Sequence, residues 1–323
     1  MSGRIVITGA AGFIGRNVVE ELNRRGYEDL LLVDVLGSEN KWKHLLGLHY
    51  EDLLSPARFL DQVQSGKLDS VERVIHLGAC SATTERDADF LLENNYRYTR
   101  QLCEWCIQTG ARFVYASSAA TYGEGELGYS DDDAITPRLR PLNMYGYSKH
   151  MFDLWALRRR LLDRIVGLKY FNVFGPYEDS KGDMRSVVSK AYQQIRQTGE
   201  VQLFRSYRPE YVDGEQMRDF VYVKDAVDVT LHFALDSEAG GLFNCGTGQA
   251  RTWKDLVLAV YAGMGIQPQI SFIEMPESLR GKYQYFTEAD VSKLRKSGYM
   301  RPFTSLEEAV REYVQDFYLI QET

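Results

Sequence analysis

Short apolar runs alternate with longer segments of helical spacing along the first half of the chain. The apolar runs that predict strands begin near Arg4, Asp29, Arg73, Arg112 and Ile165. Strands that alternate with helices in this way are typical of a parallel sheet covered on both faces. We therefore predict an α/β fold built on a doubly wound parallel sheet of the Rossmann type.

A glycine-rich turn follows the first predicted strand directly. Gly9, Gly12 and Gly15 have the spacing GxxGxxG, and a helical pattern comes next. In this setting Gly9 permits the turn, Gly12 lets the backbone approach a pyrophosphate, and Gly15 allows close helix packing. The second strand ends in Asp34, where an acceptor for a ribose hydroxyl belongs. The pattern predicts a dinucleotide site, with an unliganded glycine-rich turn as the alternative.

Candidate catalytic groups lie further along the chain. Tyr145 and Lys149 are four residues apart on a predicted helix and so share a face. A nearby ammonium would stabilise the phenolate of a tyrosine, whose pKa is otherwise about 10. Ser118 lies at the carboxyl end of a predicted strand and could donate to a substrate oxygen. Chance spacing and a turn or cap serine are the alternatives, but beside the dinucleotide pattern these residues favour redox chemistry on an alcohol.

The pattern changes after residue 176. Loops and a helix from about Met184 to Gln197 come first, and the chain then returns through a strand at 219–222 and an apolar run at 242–245. Further helices are predicted near Glu288 and Ser305. This order predicts two interleaved domains: a dinucleotide-binding domain of residues 1–175 plus 219–248, and a substrate-binding domain of residues 176–218 plus 249–323.

Composition agrees with this fold and excludes some functions. The 323 residues are 44% hydrophobic and 26% charged, enough to bury a sizeable core. The net charge of −7 argues against a nucleic-acid-binding protein, and the arginine run 158–160 predicts a solvated helix face. Helix N-termini, lysines and Arg218 can supply the local positive charge that an anionic nucleotide needs.

The four cysteines, Cys80, Cys103, Cys106 and Cys245, are too few and too scattered for a disulfide framework. The CxxC at 103–106 lies in a helical stretch without a second CxxC, so we predict no metal site. The first strand begins at once, and no segment approaches 18 apolar residues. We expect a cytoplasmic protein without a signal peptide or membrane span.

These motifs together resemble the extended short-chain dehydrogenase/reductase superfamily, in its nucleotide-sugar epimerase and dehydratase branch. The resemblance spans nearly the whole chain. Four further segments resemble the ADP-heptose 6-epimerase family of that branch: HLGACSATTE at 76–85, ENNY at 93–96, KYFNVFGP at 169–176 and RGKYQ at 280–284. The resemblance implies inversion of C6 of ADP-D-glycero-β-D-manno-heptose through a transient 6-ketone with bound NADP, in the supply of heptose for lipopolysaccharide core.

The resemblance also implies the catalytic residues. Tyr145 and Lys181 would be two acid/bases that serve opposite faces of the sugar carbon. Lys149 would be the electrostatic partner of Tyr145 and reach the nicotinamide ribose, and Ser118 would be an orienting hydroxyl. From the sequence alone, Lys181 is more simply a solvated loop lysine.

Cofactor contacts are implied for a larger set of residues. Asp34 favours NAD, whereas Lys41 matches the lysine that contacts the 2′-phosphate of NADP in the family. Lys43 and His44 join Lys41 in a basic cluster, for which a solvated helix start is the alternative. We expect NADP, with NAD as the alternative. The implied cofactor-binding residues are Gly9, Gly12, Phe13, Ile14, Gly15, Asp34, Val35, Lys41, Leu77, Gly78, Ala79, Cys80, Ser81, Asn94, Lys149, Val173 and Lys181.

The implied substrate contacts are Asn172, Asp183, Phe204, Arg218 and Tyr283. Arg218 would clamp the nucleotide diphosphate, which suits the planar guanidinium. Asp183 stands where relatives often have a serine, and the loop 205–217 is longer than in the shortest family members. The resemblance further implies a homo-oligomer, a pentamer.

Two alternatives remain at this point. Another nucleotide-sugar epimerase or dehydratase, such as a 4-epimerase, would share Ser118, Tyr145 and Lys149, but Lys181 and the segment 78–85 argue against it. A catalytically silent dinucleotide-binding sensor would need the glycine-rich turn only, so the intact acid/base set argues against that class.

Overall fold

Parallel strands form the centre of the structure, a computed structural model that describes residues 3–68, 70–280 and 283–320. The strands are β1 (Arg4–Thr8), β2 (Leu30–Val33), β3 (Asp52–Leu54), β4 (Val71–His76), β5 (Arg112–Ser118), β6 (Ile165–Tyr170), β7 (Asn172–Phe174), β8 (Val201–Phe204), β9 (Met217–Tyr222), β10 (Gly241–Cys245), β11 (Ala250–Thr252) and β12 (Ile270–Ile273). Seven of them pair in the order β10-β6-β5-β4-β1-β2-β3, and every pair is parallel. The predicted doubly wound sheet is confirmed.

Helices connect the strands. The α-helices are α1 (Phe13–Arg24), α2 (Pro56–Gln64), α3 (Ala88–Leu91), α4 (Tyr98–Thr109), α5 (Met144–Arg158), α6 (Val187–Thr198), α7 (Val223–Leu231), α8 (Trp253–Met264), α9 (Glu277–Arg280), α10 (Ser292–Lys296) and α11 (Leu306–Glu312). Short 3₁₀ turns lie at Asn40–Leu45, Ala119–Tyr122, Thr136–Arg138 and Asp179–Met184, and π turns at Leu92–Arg97, His232–Asp236 and Tyr313–Leu319.

The apolar runs are buried because both faces of the sheet are covered. Ile5 and Ile7 of β1 pack with α1 and α7, whereas Val6 between them packs on the opposite face with α2, α4 and α5. Successive side chains of a strand point to opposite faces, so a strand covered on both sides needs apolar residues at every position. This is why the strands read as continuous apolar runs rather than as alternating patterns.

Two small sheets follow the main one. Strand β7 begins two residues after β6 ends, at the carboxyl edge of the main sheet. It pairs in parallel with β9, which pairs antiparallel with β11, and β8 pairs with β12. Strands β8, β11 and β12 and helices α6, α8 and α11 lie within residues 176–218 and 249–323, where the sequence predicts the substrate-binding domain, whereas β7 and most of β9 lie within the predicted dinucleotide-binding residues.

Some element boundaries differ from the prediction. The helix expected from about Met184 begins at Val187, because the Ser186 hydroxyl accepts from the Ser189 N–H at 3.2 Å and caps it. Gly182, with φ of +53°, separates this helix from the turn before it. The helix expected near Glu288 begins at Ser292. The short edge strand β3 carries no long apolar run and was not predicted.

The two cysteines of the CxxC segment lie in the core. Cys103 and Cys106 are buried in α4, and burial raises the pKa of both thiols, that of Cys103 to about 12. Both side chains therefore act as small apolar groups of the core.

In the described part of the chain, no helix has the length and apolar character needed to cross a bilayer.

Candidate active site

A cleft of about 420 Å³ opens at the carboxyl ends of the central strands. It brings together the four predicted catalytic residues Ser118, Tyr145, Lys149 and Lys181. The other predicted residues that line it are Gly9, Gly12, Phe13, Ile14, Gly15, Asp34, Lys41, Leu77, Gly78, Ala79, Ser81 and Val173. Residues far apart in the sequence thus form one site at the edge where open α/β sheets bind ligands.

The glycine-rich turn forms one wall of the cleft. Gly9 has φ of +68°, and a Cβ on Gly15 would lie only 2.0 Å from the Gly9 carbonyl oxygen. Helix α1 therefore packs on the turn more closely than any side chain allows. Gly12 precedes the helix and offers no side-chain cap, so first-turn N–H groups are available to an anionic ligand. The turn has the shape and the field needed for a pyrophosphate.

Asp34 at the end of β2 is bound on several sides. Its Oδ2 accepts from the Ala11 N–H at 2.8 Å, and its Oδ1 accepts from the Val35 N–H at 2.7 Å. Lys41 Nζ lies 2.6 Å from the same Oδ1. Asp34, which favours NAD, and Lys41, which favours NADP, thus form one ion pair. The local charge seen by a ligand here is close to neutral.

Tyr145 lies in the first turn of α5, whose start is set by a cap. The Asn143 side chain accepts from the Gly146 N–H at 2.8 Å. Burial raises the pKa of the Tyr145 phenol, and a hydrogen bond with the Ser118 hydroxyl opposes that rise. Without further positive charge the phenol is therefore protonated at neutral pH.

Lys149 supplies a cation beside the same cleft. Its Nζ donates to the Ala116 carbonyl at 2.8 Å, at the end of β5. Burial lowers the pKa of Lys149 to about 8, and the Asp153 carboxylate one turn further along α5 opposes the fall. The amine remains mostly protonated at neutral pH, as an electrostatic partner for a phenolate requires.

A buried polar network supports this part of the site, and sequence reasoning missed it. Asp153 accepts from the Tyr115 hydroxyl at 2.8 Å and from the Ser117 hydroxyl at 2.7 Å. Lys169 Nζ lies 3.4 Å from Asp153, and both side chains are fully buried. Lys169 lies within a motif segment, but the sequence does not show that it faces inward to α5.

Lys181 comes from the 3₁₀ turn Asp179–Met184. Its Nζ lies 5.1 Å from the centre of the Phe13 ring, next to the glycine-rich turn. Burial lowers the pKa of the amine, and the Glu178 carboxylate opposes the fall. Lys181 is therefore not the solvated loop lysine that sequence reasoning alone favoured. A second acid/base candidate faces the cleft that holds Tyr145.

Three predicted cofactor residues do not line the cleft. Val35 is 60% exposed beside Asp34. The Asn94 side chain donates to Asn95 Oδ1 at 3.0 Å, and Cys80 donates its N–H to the same oxygen at 2.9 Å. Asn95 also donates to Cys80 O at 2.9 Å, so the second asparagine of the pair holds the loop after β4. The asparagine pair in the sequence indicates a functional position, but it does not show that Asn95, and not Asn94, points to the Cys80 loop.

The predicted substrate residues form a separate cluster. The Arg218 guanidinium lies 5.2 Å from the Tyr283 ring and 5.7 Å from the Trp253 ring. Phe204 is 6.5 Å from Tyr283 between ring centres. Arg218 Nη1 donates to the Met217 carbonyl at 2.8 Å, so the cation is held by backbone and aromatic faces.

Asn172 and Asp183 are the remaining two predicted substrate residues. Asn172 is exposed at the start of β7. The backbone of Asp183 lies in the 3₁₀ turn with Lys181, but its side chain lies outside the described part, as do residues 281–282 of the RGKYQ segment.

Cleft residues without a predicted role include Ala116, Ser117, Tyr170, Phe171 and Met184. Ser117, Phe171 and Met184 are direct neighbours of the predicted residues Ser118, Asn172 and Asp183, whereas Ala116 and Tyr170 are two positions away from Ser118 and Asn172; this nearness in sequence is the signal that could have found them.

The chain is similar to known proteins along nearly its whole length. The model of the "NAD dependent epimerase/dehydratase family" matches residues 5–246. An ADP-L-glycero-D-manno-heptose-6-epimerase of Nitratidesulfovibrio vulgaris is 58% identical over 97% of both chains. The structure of the enzyme of that name from Helicobacter pylori is 26% identical with a TM-score of 0.82, covering 98% of this chain and 96% of that one. A Thermus thermophilus UDP-glucose 4-epimerase in complex with NAD is 27% identical with a TM-score of 0.77, covering 98% and 99%.

Proposed function

The chain belongs to the NAD dependent epimerase/dehydratase family, and we propose that it converts ADP-D-glycero-β-D-manno-heptose to its L-glycero epimer by inverting C6. The observation that carries this proposal is the presence of Tyr145 and Lys181 in one cleft with the glycine-rich turn. A 4-epimerase would need only the Ser118, Tyr145 and Lys149 set, so the second acid/base favours the heptose reaction. The curated relative at 58% identity carries the name of that reaction.

The proposed chemistry leaves no net oxidation. A bound nicotinamide supplies a reversible hydride acceptor for C6. The side chain on one face takes the proton of the C6 hydroxyl as the substrate becomes a 6-ketone. When the ketone is reduced from its other face, the side chain on that face would return a proton to the oxygen. Two acid/bases in mirror-related positions make both half-reactions possible without moving either group.

We assign the side chains as follows. Tyr145 is one acid/base, and Lys149 stabilises its phenolate and binds the ribose. Lys181 is the other acid/base, since it lines the same cleft as Tyr145 and burial lowers the pKa of its amine. Ser118 orients the substrate oxygen through its hydrogen bond with Tyr145.

Residues 1–175 plus 219–248 bind the dinucleotide in this proposal, and residues 176–218 plus 249–323 bind the sugar nucleotide. Arg218 clamps the diphosphate from its aromatic surroundings, with Asn172, Asp183, Phe204 and Tyr283 as further contacts. By the same resemblance the enzyme is a cytoplasmic homo-oligomer, a pentamer, in the supply of heptose for lipopolysaccharide core.

NADP is the proposed cofactor, with NAD as the alternative. The Lys41 amine neutralises Asp34, which would otherwise repel a 2′-phosphate. Lys43 is exposed on the same turn, whereas His44 is buried and directed elsewhere, so Lys41 alone of the basic cluster is in contact with Asp34.

Replacing Lys41 with alanine is expected to weaken NADP binding by about ten-fold, or roughly 1.4 kcal/mol, and to leave NAD binding within about three-fold. The reason is that only NADP carries the phosphate to which the amine is assigned. Isothermal titration of both dinucleotides measures the two affinities, with Lys43→Ala as the control. Equal losses for both dinucleotides would show that Lys41 does not contact the 2′-phosphate and would remove this support for NADP.

Proton NMR of ADP-D-glycero-β-D-manno-heptose incubated with the protein and no added cofactor tests the function itself. Appearance of the C6 epimer is the expected result, and it would also show a retained, self-regenerating nicotinamide. No conversion, even after NADP or NAD is added, would redirect the assignment to another sugar nucleotide. Bound nicotinamide without turnover of any sugar nucleotide would favour the sensor.

A further inference from the structure

The segment 176–186, which carries Lys181, is fastened to the dinucleotide-binding part of the chain. The Tyr177 ring lies 3.7 Å from the Arg16 guanidinium carbon, and its hydroxyl accepts from Arg16 Nη2 at 3.0 Å. Arg16 belongs to α1, directly after the glycine-rich turn. Lys181 and Met184 line the same cleft as Gly9, Gly12 and Gly15 of that turn, so a dinucleotide in the cleft would contact both the segment and the turn.

His44 makes a second link between the same two parts. Its side chain is 4% exposed. Nδ1 lies 2.9 Å from the carbonyl oxygen of Ala11 in the glycine-rich turn, and Nε2 lies 3.2 Å from Oδ1 of Asp179 in the 176–186 segment. One imidazole thus spans the turn and the segment.

The chemistry of the two partners requires a particular protonation state. The Ala11 carbonyl and the Asp179 carboxylate are both acceptors. Neutral imidazole carries one N–H and imidazolium carries two, so only protonated His44 can donate to both. When His44 loses its proton, one of the two acceptors loses its partner.

Charged groups around His44 both raise and lower the pKa of its imidazole. The Asp179 carboxylate favours the imidazolium, the Arg16 guanidinium opposes it, and the Tyr177 ring lies 5.8 Å away between centres. Burial is the largest single effect and opposes the charge, yet the pKa of His44 remains above its ordinary value. The link is therefore complete at pH values below that ordinary value and is lost as the pH rises through the raised one.

We propose that His44 is a positioning residue whose imidazolium ties the 176–186 segment to the glycine-rich turn and so retains the dinucleotide in the cleft. This inference rests on the proposed use of the cleft as the dinucleotide site. An enzyme that regenerates its cofactor in every turnover gains from slow release. Release requires the segment to move away from the turn, and that movement breaks the contact between His44 and Asp179.

Dissociation of NADPH from the protein measures this directly. The complex is mixed with excess NADP, and the loss of NADPH fluorescence is followed from about pH 5.5 to about pH 9. The principal variant is Asp179→Asn, because this side chain is 64% exposed and its replacement does not disturb the core. His44→Gln removes the other partner, and exposed His49→Gln is the matched control.

We expect Asp179→Asn to release NADPH about five-fold faster than the wild type near pH 6, with the ratio falling toward one near pH 9. The effect of His44→Gln should follow the same trend, and His49→Gln should match the wild type. Equal rates in variant and wild type at every pH would overturn the proposal, as would an acceleration that does not change with pH.

The assay contains no sugar nucleotide, so its result is independent of whether the heptose is the substrate. If the protein binds NADH and not NADPH, the same measurement is made with NADH and excess NAD.

Discussion

Replacing Tyr145 with phenylalanine is expected to lower kcat for C6 epimerisation by about 10³-fold while leaving dinucleotide affinity within a few-fold. The phenyl ring keeps the shape of the first turn of α5, and the Asn143 cap is untouched. Only the hydroxyl is lost, and with it the proton transfer on one face of the sugar carbon.

Exposed Tyr147, two residues along the same helix, gives a matched control because it is 47% exposed. Tyr147→Phe should epimerise at the wild-type rate. Initial rates from the NMR assay, together with titration of NADP, separate a loss of chemistry from a loss of cofactor. Retention of a tenth or more of the activity in Tyr145→Phe would remove this phenol from the mechanism.

The second large effect is expected at Lys181. We expect Lys181→Ala to lose about 10²- to 10³-fold in kcat, because no other acid/base is assigned to the second face. Lys181→Met should lose as much while retaining the packing of the alkyl stem near Phe13. Near-normal turnover in either variant would remove Lys181 from the mechanism.

The two variants should also differ in a way that overall turnover does not show. In a single turnover, oxidation of each epimer is followed by the absorbance of the reduced nicotinamide. If Tyr145 and Lys181 serve opposite faces, each variant should lose the oxidation of one epimer and keep that of the other. Loss of the same half-reaction in both variants would contradict the assignment to two faces. Lys67→Ala is the control, because Lys67 is exposed and does not line the cleft.

The phenolate form of Tyr145 depends on positive charge near its oxygen. Burial raises the pKa of the Tyr145 phenol, so the phenolate needs added positive charge. Lys149, with a pKa of about 8, and a bound oxidised nicotinamide both supply it. Below that pKa the ammonium is present, and above it the support for the phenolate weakens.

Local features of the chain were predictable because neighbours in sequence impose them. Ile5, Val6 and Ile7 must be buried on both faces of the sheet, so their run predicts a parallel strand. The spacing of Gly9 and Gly15 reflects a close approach of backbone within a few residues. The common helix face of Tyr145 and Lys149 likewise follows from helical geometry alone.

Contacts between distant residues were decided by the tertiary structure. His44 and Asp179 are 135 residues apart in the chain, and nothing near either residue indicates the other. Asn95, rather than Asn94, exchanges hydrogen bonds with the backbone of Cys80, a contact between residues 15 positions apart in the chain. The sequence around Lys181 predicts a solvated lysine, whereas the packing of its turn places the amine beside Phe13.

The parallel sheet, the glycine-rich turn and the helix that carries Tyr145 and Lys149 are therefore specified by local sequence. Each depends on backbone geometry over a few residues, which residue type and spacing express directly. Three other features follow from the tertiary packing: Lys41 pairs with Asp34, Lys181 faces the cleft, and His44 joins two acceptors. Those outcomes depend on which elements pack together, because a side chain's partners and its loss of water are properties of the assembled fold.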